Sequence, residues 1–299
     1  MIRAMRLLLL ATLCLCLGHA TATGQPTGTV SALAPSTRIA LVTGSTDGLG
    51  RELARRLAHD GAHVIVHGRN AGRAQALVDE ITAEGRGSAR FYLADFASLD
   101  DVRRLAGEIV RDYPRLDLLV NNAGIFLRDE RQVSADGHEL TFAVNYLAGY
   151  LLTHRLLPLL EKGTAPRIVN VSSRSAAPID FADVMLEHGY TGYRAYSQSK
   201  LAQVMFTVDL AAALADRGIV VHAVHPATGM DTTLIQTAGL KARTSVDEGA
   251  DAVMHVIRTD APSGSYFLQQ VVAAPHEQAA DADARRQLRE VSRRLTGVP

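Results

Sequence analysis

Arg38-Ile39-Ala40-Leu41-Val42-Thr43-Gly44-Ser45-Thr46-Asp47-Gly48-Leu49-Gly50 decides the fold of this 299-residue chain. Residues 38–43 are a short apolar run of the kind that makes a buried parallel strand. The glycines at 44, 48 and 50 follow at once. Arg51 to His59 then repeats apolar residues at helical spacing (Leu53, Ala54, Leu57, Ala58). A strand, a glycine-rich turn and a helix bring backbone N–H groups and a positive helix end to one point, where a pyrophosphate can bind. The plainer reading is a tight strand-to-helix turn without a ligand; the flanking elements favour the nucleotide.

Outward from that turn the same alternation continues. Strands are expected at Ala62–His67, Ala89–Leu93, Leu116–Val120, Ile168–Val171, Ile219–Val224 and Tyr266–Leu268. Helices are expected at Ala71–Glu84, Leu99–Tyr113, within Gly137–Glu161, from Tyr196 to about Arg217, and at Val246–Ile257 and Ala279–Leu295. Strictly alternating strands and helices, with no internal repeat, argue for one α/β domain over 38–299. Its core would be a single doubly wound Rossmann-type parallel sheet with helices on both faces and ligands at the strands' carboxyl ends. The second strand ends in Gly68-Arg69-Asn70. An acid there would bind the ribose of NAD, whereas an arginine accommodates a 2′-phosphate, so NADP(H) is favoured over NAD(H). A solvated first-turn Arg69 is the alternative.

A second stretch, Tyr196-Ser197-Gln198-Ser199-Lys200, places a phenol and an ammonium four residues apart on one helix face. A neighbouring cation favours the phenolate, which makes a tyrosine usable as an acid or base near neutral pH. Asn145 lies mid-helix among Phe142, Val144, Leu147 and Leu151. Asparagine is a weak helix former, so it is expected either buried with partners or at a polar site.

Composition excludes several function classes. Basic and acidic residues both number 31, aromatics are 5%, and no basic stripe is present, so a nucleic-acid partner is not supported. Residues 1–22 have Arg3 and Arg6, an apolar run from Leu7 to Leu17 and Ala20-Thr21-Ala22, the pattern of a cleaved signal peptide. That pattern points to an exported or periplasmic protein. The alternatives are an uncleaved membrane anchor with a cytosolic domain, or a misassigned start. Residues 23–37 read as a mobile linker. Cleavage would remove Cys14 and Cys16, leaving no thiol for a disulfide, a nucleophile or a zinc site, and no metal ligand set is evident.

Taken together, Thr43-Gly44-x-x-x-Gly48-x-Gly50, Asn121-Asn122-Ala123-Gly124, Asn145, Ser173 and Tyr196-x-x-x-Lys200 resemble the short-chain dehydrogenase/reductase family. The resemblance runs along 38–298. Arg167 to Ser173, Val144 to Gly149 and Ser265-Tyr266-Phe267 are similar to its retinol dehydrogenase and WW-domain oxidoreductase branch. It implies an oxidoreductase that interconverts an alcohol and a carbonyl of a lipophilic small molecule. Tyr196 would be the proton donor or acceptor, Lys200 its activator and a ribose ligand, Ser173 (with Ser172 the fallback) the partner of the substrate oxygen. Asn145 would hold a relay water. The cofactor would meet Gly44, Ser45, Gly48, Leu49, Gly50, Arg69, Asp95, Asn121, Tyr196, Lys200, Pro226 and Thr228. The chain departs from the family at Pro226-Ala227, where Pro-Gly is usual, and at Asp47, where many NADP-dependent members are basic. Thr232 is the candidate carboxamide contact, one position late. From 230 to 240 an apolar lid is expected. A homodimer is a further expectation, through Leu156, Leu159, Val204 and Leu210, unless these are core. The rival to an enzyme is a non-catalytic NADP(H)-binding sensor or interaction module on the same fold.

Overall fold

The structure is a computed structural model that describes residues 33–128 and 130–298. Its strands are β1 (Ile39–Val42), β2 (His63–Gly68), β3 (Ser88–Leu93), β4 (Leu118–Asn121), β5 (Arg167–Val171), β6 (Val220–His225), β7 (Tyr266–Leu268) and β8 (Val271–Ala273). They form one sheet in the order β3-β2-β1-β4-β5-β6-β7-β8. The first seven are parallel and β8 returns antiparallel along β7. The helices are α1 (Gly48–His59), α2 (Ala71–Glu84), α3 (Leu99–Asp112), α4 (Leu140–Phe142), α5 (Ala148–Leu160), α6 (Gly192–Ala213), α7 (Thr233–Thr237), α8 (Val246–Arg258), α9 (Glu277–Ala280) and α10 (Ala282–Thr296).

All four β1 residues are fully buried, because successive side chains point to opposite faces and both faces are covered. Ile39 and Leu41 enter a core with Leu105, Ile109 and Leu156 from α3 and α5. Ala40 and Val42 enter the other, with Leu53, Leu57 and Val253 from α1 and α8. Helix starts are set locally: Asn70, Ser98 and Thr191 each accept the backbone N–H three residues on, and Ser245 with Glu248 forms a capping box. Chain order reverses at β1, which lies between β2 and β4, so a crevice opens at the carboxyl ends of β1 and β4.

Five details differ from the sequence reading. The helix expected within 137–161 is interrupted by a π-helical turn at Ala143–Leu147, which carries Asn145. β8 was not foreseen; Val271 and Val272 lie exposed on the sheet edge, so no burial pattern marks them in the sequence. The terminal helix divides at Asp281, whose carboxylate caps α10 by accepting from Asp283 and Ala284 N–H. Residues 33–37 are tied down, unlike a mobile linker: Leu33 packs on the core and the Arg115 guanidinium donates to the Pro35 and Thr37 carbonyls. Leu156, Leu159, Val204 and Leu210 are buried inside the single chain, so they supply no exposed dimer face. The signal or anchor at 1–22 lies outside the described residues. Among the described residues no helix is long and apolar enough to cross a membrane.

Candidate active site

β5 ends where the α6 helix begins to cross it, and this junction assembles the polar centre. Ser172 and Ser173 point opposite ways, as successive extended residues must. The Ser172 hydroxyl turns inward and donates to the Lys200 carbonyl at 2.7 Å. Ser173 Oγ instead accepts from Ser175 N at 3.1 Å and lies near enough to the Tyr196 phenol to influence its titration. Lys200, only 4% exposed, brings its Nζ to 5.6 Å from the centre of the Tyr196 ring. Two of its three N–H donors are taken, by the Val171 carbonyl at 2.9 Å and Gln203 Oε1 at 3.0 Å.

Burial governs both titrating groups. It pushes the Lys200 ammonium down to about 7. It pushes the Tyr196 phenol up, with the Ser173 hydroxyl pulling it partly back. The lowering of the phenol expected from Lys200 is therefore outweighed in these surroundings: desolvation penalises the phenolate, and the ammonium is engaged by two other acceptors. The Phe126 ring stands 5.0 Å from the Tyr196 ring and forms an apolar wall beside it.

The π-helical turn aims Asn145 at the same region, a common use of such a turn at functional sites. Its Oδ1 accepts from Ile125 N at 2.7 Å, and its Nδ2 donates to the Ile125 carbonyl and to Ser199 Oγ. The amide thus ties the loop after β4 to α6. Gly124 leaves room beside it: a Cβ there would stand 3.3 Å from Asn145 Oδ1 and 3.6 Å from Lys200 Nζ.

The glycine-rich turn is held by partners far away in sequence. Gly44 has φ +63°, and a Cβ on it would sit 2.9 Å from the Ala123 Cα. Its N–H donates to His67 Nδ1 at 3.1 Å, which assigns the other ring proton to Nε2, 3.2 Å from the Ala94 carbonyl. The imidazole stacks on Phe96, and burial pushes it down to about 4, so it stays neutral. Gly50 packs so closely that a Cβ would lie 2.3 Å from the Gly44 carbonyl oxygen and 2.5 Å from Asn122 Nδ2. Asn122 itself donates to the Thr43 and Gly44 carbonyls. A backbone this bare beside a helix N-terminus, with a buried ammonium on the same crevice, fits a nicotinamide dinucleotide.

The other expected cofactor residues fall into three groups. Arg69 and Asp95 sit together at the carboxyl ends of β2 and β3, 3.7 Å apart and both well exposed. Pro226 and Thr228 follow β6, with Thr228 Oγ1 3.0 Å from His225 Nε2. Gly48 carries φ +48°, and a Cβ there would meet Thr232 at 3.0 Å, so the lid segment rests on the turn. Asp47 joins these parts: it caps Gly48 N and also accepts from Arg73 and from Thr233 of α7. Three side chains point elsewhere. Ser45 is fully buried and bonded to the His67 backbone, and Leu49 packs in the core, so only their main chain can face the crevice. Asn121 Nδ2 donates to Thr153 and Asn170, placing the side chain in a buried network between β4, β5 and α5 instead of at the adenosine. His67, Phe126 and Gln203 escaped the sequence reading, and Asn122 entered it only as part of the Asn121-Asn122-Ala123-Gly124 run. Of the three that escaped, only Gln203 left a trace, as a polar residue three positions after Lys200. Among the described residues no cluster of side chains is arranged to hold a metal ion.

A family model described as "short chain dehydrogenase" matches residues 38–243. The chain is 37% identical over 283 residues to a mouse protein named polyprenol dehydrogenase, covering 87% of this chain and 84% of that one. It is 33% identical over 291 residues to human retinol dehydrogenase 13, covering 86% and 84%. Among solved structures, a Mycobacterium paratuberculosis protein superposes with a TM-score of 0.74 at 29% identity, covering 87% of this chain and 94% of that one. A Shigella flexneri short chain dehydrogenase complexed with NADP gives 0.63 at 28% identity, covering 78% and 97%.

Proposed function

The chain belongs to the short-chain dehydrogenase family, in its retinol dehydrogenase-like branch, and on that premise we propose that it interconverts a lipophilic alcohol and its carbonyl with NADP(H). That it is an oxidoreductase acting on CH–OH donors follows from the family. The finer reading rests on one observation: a phenol flanked by the Ser173 hydroxyl and the Lys200 ammonium at the strands' carboxyl ends.

The nicotinamide, when bound, supplies or accepts the hydride. The residues handle the proton and the fit. Tyr196 gives its proton to the substrate oxygen in reduction and takes one from the hydroxyl in oxidation. Ser173 donates a hydrogen bond to that oxygen and so orients it. Lys200 stabilises the phenolate that forms when the proton leaves. Gly44 to Gly50 accept the pyrophosphate against main chain, with Asn122 and His67 keeping the turn in shape. Arg69 supports the 2′-phosphate, in keeping with the NADP complex of the Shigella flexneri relative.

A lipophilic substrate is supported by the Phe126 wall, by Leu234, Ile235 and Leu240 in and after α7, and by the names of the mammalian relatives. The test is a carbonyl-reduction and alcohol-oxidation screen with NADPH and NADH across chain lengths. Tyr196→Phe should abolish turnover while NADPH affinity stays within a factor of about two, since only the proton is lost. Equal turnover in that variant refutes the assignment. Residues 1–22 are proposed as an export signal; an intact Met1 in the mature protein's mass refutes cleavage.

A further inference from the structure

Lys200 is a buried cation with two neutral acceptors, and they differ in origin. Val171 O belongs to the β5 backbone and is present whatever the side chains are. Gln203 Oε1 is the chain's own choice: three residues along α6, it returns beside the ammonium, 3.0 Å from Nζ. Gln203 is itself 4% exposed. Thr207 Oγ1 donates to the Gln203 main-chain carbonyl, Asn170 Nδ2 donates to Thr207 Oγ1, and Asn121 Nδ2 donates to Asn170 Oδ1. A file of buried amides and hydroxyls therefore runs from β4 through β5 to the turn of α6 that carries Gln203.

We infer that Gln203 is a positioning residue for Lys200: its amide oxygen keeps the buried lysine charged and fixes where the ammonium stands relative to Tyr196. The physical reason is that burial disfavours a charge unless acceptors replace the lost water, and an ammonium engaged by two acceptors has one donor left to aim. The other groups facing this ammonium do not help to hold its proton. Tyr196 on the same helix is neutral with its own pKa raised by burial, and His225 on β6 is held neutral by burial and by the Arg174 charge after β5. This inference deepens the proposed function, because Lys200 matters to turnover only if Tyr196 exchanges the proton.

The chain has three lysines, Lys162, Lys200 and Lys241, so 13Cε-lysine NMR can follow Lys200 directly, with Lys200→Met to assign its signal. Two near-isosteric variants push in opposite directions. Gln203→Met removes the acceptor and should lower the Lys200 midpoint by about one pH unit or more, the worth of one hydrogen bond to a charged group. Gln203→Glu puts a carboxylate at the same place and should raise it by at least as much. A residue that only fills space would not give shifts of opposite sign. Lys200 midpoints equal to wild type in both folded variants would overturn the inference. Opposite shifts support it, and Gln203→Met should then also lower kcat while the cofactor Kd changes less. Opposite shifts in a protein whose Tyr196→Phe variant is fully active would leave Gln203's hold on Lys200 standing and sink the catalytic reading instead.

Discussion

Acidification to pH 5 should destabilise this protein strongly, and four deeply buried histidines carry most of the effect. His63, His67, His222 and His225 are 4, 3, 0 and 7% exposed. Burial pushes each down to about 4, with Arg90, Arg167 and Arg174 adding repulsion at His63, His222 and His225 respectively. In the unfolded chain the same side chains titrate near about 6.5. Between those values the unfolded state binds protons that the folded state refuses. The stability they confer is therefore complete above about pH 6.5 and is lost as pH falls toward 4. At pH 5 the loss is about 2 kcal/mol for each, so about 8 kcal/mol together, against the roughly 5–15 kcal/mol that holds a domain folded. Glu139 works the other way, since burial raises its carboxyl and the folded state takes up its proton first. It is a single group against these four and His154, which burial also lowers. Urea unfolding followed by circular dichroism at pH 7.5 and pH 5.0, at constant ionic strength, measures the difference. His222→Leu should reduce that difference by about 2 kcal/mol, because it removes one of the titrating sites. Unchanged stability between the two pH values, or an unchanged difference in the variant, would refute the reasoning.

Three further tests bear on the cofactor turn and on helix packing. His67→Leu leaves the partly buried Gly44 N–H without its acceptor, a loss of about 1–3 kcal/mol. It should raise the KM for NADPH about tenfold or more while kcat holds, and His67→Gln, which keeps an acceptor and a donor, should recover most of it. Equal KM values in all three proteins would remove His67 from the turn's support. Gly50→Ala drives a Cβ into the Gly44 carbonyl and should lower Tm by several degrees and abolish NADPH binding, an overpacking cost of about 1–3 kcal/mol or more. Gly107→Ala, on the exposed face of α3 with open space around it, should instead stabilise by about 1 kcal/mol.

The order of elements, the doubly wound sheet and the positions of Gly44, Gly48, Gly50, Tyr196 and Lys200 were readable from the chain alone. Each is a local matter: a strand needs a run of apolar residues, a turn needs glycine, and two residues four apart share a helix face. What the tertiary structure decided lies between residues distant in sequence. Ser172 and Ser173 are equivalent on paper, and only the approach of α6 to β5 turns one to the Lys200 carbonyl and leaves the other beside the Tyr196 phenol. Asn121 and Asn122 look alike, yet the packing of β4 between β1 and β5 sends the first into a buried network and the second to the glycine turn. His67 reads as an ordinary strand residue until β1 and β3 flank it and bring Gly44 and Ala94 to its two nitrogens. The pKa values of Tyr196 and Lys200 belong to this second class as well. Spacing placed the cation near the phenol, but desolvation by the whole fold, which no local pattern encodes, determined which way each one moved.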